Sequence, residues 1–236
     1  MLAVQPPLVG LMSVAHWPNV TVNNGAELWG FDFEIPLMSL PAALPITAEN
    51  IPADVPYLAA DPRRVAAWRS RLPRDKFNIG LVWQGRPDQK IDPGRSFPLR
   101  SCAPLSQLPG VRLISLQKHH GLEQLSDLPP GMQLDVLGAD FDPGPDAFVD
   151  TAAVMLNLDL IVTVDSATAH LGGALARPTW IALKQVPDWR WGLHDEVSPW
   201  YPTARLFRQR TAGEWDDIFT RMAEELARAV PMLRAR

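Results

Sequence analysis

The sequence predicts an α/β protein built around a parallel sheet, and three observations favour that class. From about residue 76 onward, short apolar runs alternate with segments of helical character, which is the order expected when helices cover both faces of a parallel sheet. Several of these runs are almost continuously apolar and end in a polar residue or glycine, as strands buried on both faces do. The last long segment has apolar residues at a 3.6-residue period, which is typical of a helix packed on a sheet.

The first 60 residues have a different texture. They are rich in proline and only weakly periodic, so we expect an incomplete piece of a domain or an extension that packs on the rest. A helix is predicted from Asp61 to Leu72, because Asp61 is a favourable N-cap and Pro62 suits the first helical position. Val65, Trp68 and Leu72 form the apolar stripe of this helix.

Six strands and four further helices are predicted in the remainder of the chain. The strands are expected at Asn78–Gly85, Val111–Lys118, Met132–Gly138, Leu158–Asp165, Pro178–Lys184 and Ala204–Gln209. The helices are expected at Gly121–Asp127, Ala147–Asn157, Thr168–Ala176 and Glu214–Val230. The last helix has an apolar face, which we expect to pack on the sheet and which consists of Trp215, Ile218, Phe219, Met222, Leu226 and Val230.

Charge and cysteine content exclude several functional classes. The 236 residues have a net charge of −4, which argues against a general nucleic-acid binder. The single cysteine, Cys102, excludes an internal disulfide and a cysteine-ligated zinc site and is consistent with a reducing compartment. No apolar run approaches the roughly 20 residues that cross a bilayer, and the first ten residues lack the charged start of a signal peptide. We therefore expect a cytoplasmic protein without a membrane span.

Short motifs of several common enzyme classes are absent from the sequence. It contains no glycine-rich dinucleotide or Walker motif, no GxSxG elbow and no HExxH pattern. His119 and His120 are adjacent and therefore point apart, and no third metal ligand lies near them in the sequence. We expect neither a metal site nor a cofactor.

Polar residues follow four of the predicted strands. In parallel sheets, ligands bind beyond the carboxyl ends of the strands, so a binding site is predicted where these residues meet. The strand ends in question are Gln84-Gly85, Gln117-Lys118, Asp165-Ser166 and Lys184-Gln185.

The turn at Asp165 carries the strongest local signal. We expect Ser166 to cap the following helix, whose first amides, at Ala167 and Thr168, would point outward and attract an anion. Asp165 would then accept hydrogen bonds from a hydroxylated ligand. The alternative interpretation is that Asp165 and Ser166 are only an N-cap pair and that His170 is a packed helical histidine.

Two cations and one long loop are further candidates. Lys118 is placed to meet a phosphate as a point charge, or is a solvated lysine. Arg95 could hold a pyrophosphate with two parallel hydrogen bonds, or pair with Asp88 or Asp92. The aromatic loop from Val186 to Gln209 is interpreted as a rim or lid over the strand ends, or as a structural latch between the sheet and the last helix.

Several segments together resemble the nucleotide-sugar-binding half of bacterial glycosyltransferases. The segments are IGLVWQG, RSFPL, GVRLISLQK, GLEQL, DTAAVMLNLDLIVTVDSATAHLGGAL, PDWRW and SPWYPTARLFRQ. They are similar to the transferase-like region of bacterial tetratricopeptide-repeat proteins and, more distantly, to the heptosyltransferases of glycosyltransferase family 9. The resemblance implies a GT-B fold, in which two Rossmann-like domains face a cleft. Residues 1–75 would be a remnant of the first domain with a linker helix, and residues 76–236 the nucleotide-sugar-binding domain.

The resemblance also implies roles for individual residues. A nucleotide-diphosphate sugar would be bound by Gln84, Gly85, Arg95, Gln117, Lys118, Asp165, Ser166, Ala167 and His170, without a metal. The sugar would be transferred with inversion to the hydroxyl of an unidentified acceptor. Heptosyltransferases have glycine at the position of Ala167, and a Cβ limits the approach of a ligand there.

The catalytic base of such enzymes lies early in the first domain, and this chain resembles the family only from the middle of that domain. Asp32 and Glu34 are candidates for the base by charge alone. The alternative is therefore a non-catalytic or truncated module that binds a nucleotide or a protein. In that case we expect a dimer mate or another partner to cover residues 1–60.

Overall fold

The computed structural model describes residues 1–15, 17–25, 30–87 and 93–233, with side chains described through residue 228. Its strands are β1 (Leu2–Ala3), β2 (Val22–Asn23), β3 (Phe77–Val82), β4 (Val111–Ser115), β5 (Asp135–Val136), β6 (Leu160–Val164), β7 (Thr179–Leu183) and β8 (Ala204–Arg208). Its α-helices are α1 (Val9–Ser13), α2 (Leu40–Ala43), α3 (Pro62–Arg71), α4 (Ala103–Ser106), α5 (Val149–Met155), α6 (Ala167–Ala174) and α7 (Asp216–Leu233).

The main sheet confirms the predicted α/β class. Its six strands are all parallel and lie in the order β5-β4-β3-β6-β7-β8, which is the strand order of a Rossmann-like sheet. All six predicted strands are present, and the shortest of them, β5, lies at an edge. Consecutive strand residues point to opposite faces, and every residue of β6 is buried. Both faces of the sheet are therefore covered at its centre.

Helices α3 and α7 form as the sequence predicts. The carboxylate of Asp61 accepts a hydrogen bond from the amide of Arg63 at 2.7 Å and so caps α3. Trp68 and Leu72 are buried in the core, where α3 packs beside α5. The predicted apolar face of α7 is buried from Trp215 to Leu226, and the side chain of Val230 lies outside the described residues.

Several short helical segments differ from the prediction, and two of them lie between β3 and β5. The helix expected at Gly121–Asp127 is a 3-10 helix at Leu122–Ser126, which begins at Gly121 with a φ of 82° and has only five residues. A 3-10 turn at Leu99–Cys102 continues into α4 between β3 and β4. That turn was not predicted, because four-residue helices have no measurable period.

The first 60 residues form a separate small sheet and an exposed segment. Strands β1 and β2 pair in parallel over two residues, and Leu11 of α1 reaches the main core. Several apolar side chains after this sheet are exposed, namely Phe31, Phe33, Ile35, Leu37, Met38 and Leu44. We call this stretch, residues 31–44, the apolar segment. The expectation that a partner or a dimer mate covers residues 1–60 stays a prediction.

The chain returns to the sheet at Tyr57. The main-chain amides of Tyr57 and Leu58 both donate to the carbonyl oxygen of Ala174, at the end of α6. Leu58 and Ala60 are buried in the same core as α3 and the sheet. The predicted division of the chain at residue 75 stays a prediction, since the core is continuous across it. Within the described ranges, no helix is both long and apolar enough to cross a membrane.

Candidate functional site

The candidate site lies at the carboxyl ends of β3 and β6. These strands are direct neighbours, with Val82 paired to Thr163, and neighbouring strands lie about 4.8 Å apart. After β3 the chain continues to β4 on one side of this pair, and after β6 it continues to β7 on the other side. A crevice is therefore expected between the ends of β3 and β6. Gln84 and Gly85 follow β3 at this edge, and Asp165 and Ser166 follow β6.

Gln117 fixes the main chain at the end of β3. Its Oε1 accepts hydrogen bonds from the amides of Trp83 and Gln84, both at 3.0 Å. Its Nε2 donates to the carbonyl oxygens of Gln84 and His120, both at 2.8 Å. The side chain is buried, and both ends of its amide are satisfied within the protein. The Gln117 side chain therefore supports the main chain at the end of β3, and its predicted contact with a ligand stays a prediction.

Gln84 has one half of its side-chain amide engaged. Its Oε1 accepts a hydrogen bond from Nε2 of Gln124 at 3.0 Å, and Oε1 of Gln124 accepts from the amide of Leu99 at 2.8 Å. Nε2 of Gln84 has no hydrogen-bond partner among the residues that the structure describes. This amide therefore retains two donors at the carboxyl edge of the sheet.

Gly85 and Arg95 are in direct contact. A Cβ on Gly85 would lie 2.6 Å from Nε of the Arg95 side chain, so only glycine permits this approach. The amide of Gly85 donates to Oγ of Ser96 at 3.1 Å, which fixes the loop beneath the guanidinium. Arg95 is half-buried, and within the described residues its guanidinium makes neither a hydrogen bond nor an ion pair. The carboxylates that the sequence offered as partners, at positions 88 and 92, lie outside those residues.

Helix α6 begins with uncapped amides. The sequence predicted Ser166 as the cap, but its side chain makes no capping hydrogen bond and its Oγ instead lies 3.5 Å from Oγ1 of Thr163. The amide of Ala169 bonds to the carbonyl oxygen of Ser166. The amides of Ala167 and Thr168 have no acceptor in the part of the chain that the structure describes. Since the helix dipole also favours negative charge here, this terminus can bind an anion.

Two glycines bring α6 close to its surroundings. A Cβ on Gly172 would lie 2.5 Å from Oγ1 of Thr179 in β7, and one on Gly173 would lie 2.3 Å from the Tyr201 ring. Asp165, at the turn before the helix, is buried. The small residues predicted around this turn therefore permit close packing of α6 on β7 and on Tyr201.

His170 is packed between aromatic side chains, as the alternative interpretation held. Its ring stacks on Trp191 with centroids 5.1 Å apart and an interplanar angle of 20°, and its Nδ1 lies 3.0 Å from the hydroxyl oxygen of Tyr201. Burial, with a smaller contribution from the charge of Arg190, lowers the pKa of His170. Nε2 has no hydrogen-bond partner within the described part of the chain, yet it is not sealed from solvent. One ring nitrogen is thus fixed and the other is open.

Lys118 points to the loop that follows β5. Its Nζ donates to the carbonyl oxygens of Phe141 and Asp142, the latter at 3.3 Å, and lies 5.4 Å from the centre of the Phe141 ring. No carboxylate in the described ranges pairs with it. Two of its three donors are therefore used to support a loop, while its positive charge is not compensated by a direct ion pair.

A network of aspartates beneath that loop was not predicted. Asp142 accepts hydrogen bonds from the amides of Asp150 and Thr151, at 2.6 and 3.2 Å, and so caps α5. Asp150 in turn accepts from the Asp142 amide, from Nε1 of Trp68 at 3.0 Å and from the Arg64 guanidinium at 2.8 Å. Burial alone would raise the pKa of Asp150, but these hydrogen bonds outweigh it and lower the pKa.

An open cavity of about 350 Å³ adjoins this network. It is lined by Arg64, Trp68, Arg71, Asp140 and Asp146 among others. Both arginines are paired, Arg64 with Asp150 and Arg71 with Asp140. Asp142 lies seven residues before the first residue of α5, and that separation is the reason why the sequence pattern did not reveal it as a cap.

The aromatic loop from Val186 to Gln209 is held from within. Asp188 caps the 3-10 turn Trp189–Trp191, and the guanidinium of Arg208 donates to the carbonyl oxygens of Trp191, Gly192 and Asp195. Trp191 and Tyr201 are buried in a second apolar cluster with Ala169 of α6. The loop therefore packs beside α6, and its interpretation as a rim over the strand ends or as a latch to the last helix stays a prediction. Among the described residues, no group of three or more histidine, cysteine, aspartate or glutamate side chains is placed to hold a metal ion.

Comparison with known proteins gives one curated relative and several solved structures. No protein-family model matches the chain. Protein FlbA of Caulobacter vibrioides is 29% identical over 211 residues, which are 85% of this chain and 34% of that protein. This chain therefore spans about a third of the length of that relative.

The similar solved structures are bacterial transferases. ADP-heptose heptosyltransferase II of E. coli gives a TM-score of 0.49 at 20% identity, over 76% of this chain and 54% of that one. A glycosyltransferase of family 9 from Veillonella parvula gives 0.47 at 15% identity, over 64% and 42%. The E. coli heptosyltransferase WaaC with ADP gives 0.46 at 19% identity, over 68% and 48%. This chain spans about half the length of each of these proteins.

Proposed function

We propose that this protein binds a nucleotide-diphosphate sugar at the carboxyl ends of β3 and β6 and transfers the sugar to an acceptor hydroxyl with inversion. One observation carries the proposal. An arginine without an ion-pair partner in the described residues, Arg95, packs over Gly85 at the end of β3, while the uncapped amides of Ala167 and Thr168 begin a helix at the end of the neighbouring strand. A guanidinium at the end of one strand and free helix amides at the end of its neighbour are suitable donors for the oxygens of a diphosphate.

The chemistry of a diphosphate explains why these groups belong together. Its charge is spread over several oxygens, which a planar guanidinium can bind with two parallel hydrogen bonds. The amides of α6 and the helix dipole add fixed positive potential that needs no reorganisation during the reaction. A leaving diphosphate would be stabilised by these groups without a metal ion. Lys118 would add long-range positive charge rather than a direct contact, because its ammonium group is bound to carbonyls.

The sugar would be recognised by the remaining polar groups at the same edge. The carboxylate of Asp165 would accept hydrogen bonds from sugar hydroxyls, and the open Nε2 of Gln84 would donate to them. In the transfer, the acceptor oxygen forms a bond to the anomeric carbon as the bond to the diphosphate oxygen breaks, and the diphosphate leaves with that electron pair. The acceptor proton passes to a general base.

Calorimetry with a panel of UDP-, GDP- and ADP-sugars tests the proposal. We expect one member to bind, and Arg95→Ala to weaken that binding at least 10-fold, since a charged bidentate contact contributes about 1.5–3 kcal/mol. Arg100→Ala is the matched control, because Arg100 is an exposed arginine on the same segment. The affinity of this variant for the nucleotide sugar should equal that of the unmodified protein. If no nucleotide sugar binds, or if both variants weaken binding equally, the proposal is wrong.

The apolar segment favours a second candidate function, that of an interaction module. Phe33 is 93% exposed and Met38 is 70% exposed, and contiguous exposed apolar patches mark interaction sites. If the protein self-associates through this segment, light scattering will show a dimer that Phe33→Asp dissociates. Val186→Asp is the control, because Val186 is similarly exposed outside the segment. A monomer at all concentrations, together with sugar transfer in a turnover assay, would reject this candidate.

A further inference from the structure

Three side chains from distant parts of the sequence form a short chain of polar contacts. His170 lies in α6, Tyr201 lies in the aromatic loop, and Tyr57 lies before α3. Nδ1 of His170 is 3.0 Å from the Tyr201 hydroxyl, and that hydroxyl is 3.4 Å from the hydroxyl of Tyr57. The imidazole is therefore connected through one buried phenol to a second phenol that is 43% exposed.

The position of the His170 ring is determined by its neighbours. It stacks on Trp191 and meets the edge of Tyr201, with centroids 5.1 and 5.8 Å apart. Tyr201 is itself held against the backbone of Gly173. A flipped imidazole would leave the Tyr201 hydroxyl facing a carbon atom. The packing therefore assigns Nδ1 to the tyrosine and leaves Nε2 without a hydrogen-bond partner among the described residues.

A count of protons allows two arrangements of this chain. In the first, Tyr201 donates to Nδ1 and accepts from Tyr57, and the imidazole has its proton on Nε2. In the second, Nδ1 donates to Tyr201, Tyr201 donates to Tyr57, and Nε2 is a bare acceptor. Burial raises the pKa of Tyr201, so the phenol keeps its proton. A phenol O–H is a better hydrogen-bond donor than a neutral imidazole N–H, and an imidazole nitrogen is a better acceptor than a phenol oxygen. The first arrangement is therefore favoured.

We infer that Tyr201 is a positioning residue that holds His170 as the neutral Nε2–H tautomer, so that this nitrogen donates a hydrogen bond to an anionic oxygen of the bound ligand. The ligand part of the inference rests on the proposed function, since the probe is a diphosphate. The tautomer part concerns the protein alone. Because burial lowers the pKa of His170, the ring donates one hydrogen bond without first taking up a proton. Arg190 and Asp188 are the charged groups that act on the ring.

Nuclear magnetic resonance of protein labelled with ¹⁵N in histidine tests the tautomer directly. The chain has five histidines, and His170→Gln identifies the signals of this one. At pH 7.5 we expect a protonated-type shift for Nε2 and an unprotonated-type shift for Nδ1. Tyr201→Phe should give averaged shifts of both nitrogens, because the ring loses its donor. Tyr57→Phe is the control and should keep the Nε2–H pattern. A protonated Nδ1 in the unmodified protein, or an unchanged pattern in Tyr201→Phe, would overturn the inference.

Binding of ADP and of inorganic pyrophosphate tests the second part. We expect Tyr201→Phe to weaken binding about 5-fold, which corresponds to about 1 kcal/mol for one hydrogen bond, and its folding can be checked by tryptophan fluorescence. His170→Gln, which places an amide N–H near Nε2, should retain more affinity than His170→Asn, and the reverse order would refute the donor. If neither probe binds the unmodified protein while the ¹⁵N pattern is as expected, the ligand part of the inference fails and the tautomer assignment is supported; the calorimetry panel of nucleotide sugars decides the proposed function separately.

Discussion

Replacement of Gly173 by alanine would test the close contact between α6 and Tyr201. The new Cβ would lie 2.3 Å from Cγ of the ring, and 2.5 and 2.7 Å from the two Cδ atoms. Since ordinary carbon contacts begin near 3.4 Å, the ring or the helix would have to retreat by about 1 Å. The clash involves the root of a buried aromatic ring, which cannot swing aside as the end of a flexible chain could.

Two opposing effects determine the free energy of unfolding of this variant. Overpacking in a filled core costs about 1–3 kcal/mol, whereas glycine to alanine in a helix contributes about 0.5–1 kcal/mol in favour of folding. We expect a net loss of about 1–2 kcal/mol, which lowers Tm by about 2–4 °C for each kcal/mol in a chain of this size. Gly144→Ala is the control, because a Cβ there meets nothing within 4 Å, and it should leave stability unchanged or slightly raised.

Urea unfolding followed by tryptophan fluorescence and by circular dichroism measures these differences, provided that the two transitions coincide. A double-mutant cycle isolates the contact. When Tyr201→Ala has removed the ring, Gly173→Ala should become stabilising by up to about 1 kcal/mol, because only the helix propensity remains. If Gly173→Ala has the same effect with and without the ring, the contact does not control the packing of α6 and the reasoning is refuted.

Three further predictions concern the hydrogen-bond networks around the site. Asp150→Asn should lower the free energy of unfolding by about 2 kcal/mol at pH 7. The pKa of Asp150 is lowered in the folded state, so the unmodified protein should lose this advantage over the variant as the pH falls below about 4. If the variant loses stability in acid as steeply as the unmodified protein does, the prediction is wrong. The pKa of His170 is also lowered from 6.5, so stability should decrease as pH falls below about 6.5; His170→Gln should flatten that slope in urea unfolding while His194→Gln, at an exposed position, keeps it. Gln117→Leu leaves two main-chain amides at the end of β3 without acceptors and should cost about 2–5 kcal/mol, whereas a cost below about 0.5 kcal/mol would show that water replaces the side chain.

The strands of the site and helix α6 could be predicted because their signals are local, although the sequence wrongly assigned Ser166 as the cap of that helix. Continuous apolar runs mark buried strands wherever they occur, and β6 with the small residues that follow it gives such a signal within fifteen positions. The strand ends then meet at one edge because parallel strands share a direction. For this reason Gln84, Gly85 and Asp165 could be assigned to one region without knowledge of the structure.

Side-chain contacts between distant residues could not be predicted in the same way. Gln117 and Gln84 are 33 positions apart, and the hydrogen bonds that occupy the Gln117 amide depend on the register of β3 and β4. Lys118 has the local signature of a phosphate-binding lysine, but two carbonyls more than twenty positions away bind its ammonium group. Ser166 is a favoured N-cap residue whose extended backbone and nearby Thr163 give its hydroxyl another neighbour. In each case, the competing partner is supplied by the tertiary fold.

The paired amides of Tyr57 and Leu58 on the carbonyl of Ala174 have a consequence for anyone who would graft the sheet of this protein into a chimera. A graft that begins just before α3 would remove the two amides that donate to Ala174 at the end of α6. It would also remove the Tyr57 hydroxyl, which lies next to that of Tyr201. A graft point before Val55 would carry these contacts into the new host intact. The portable unit is thus slightly longer than its regular secondary structure suggests.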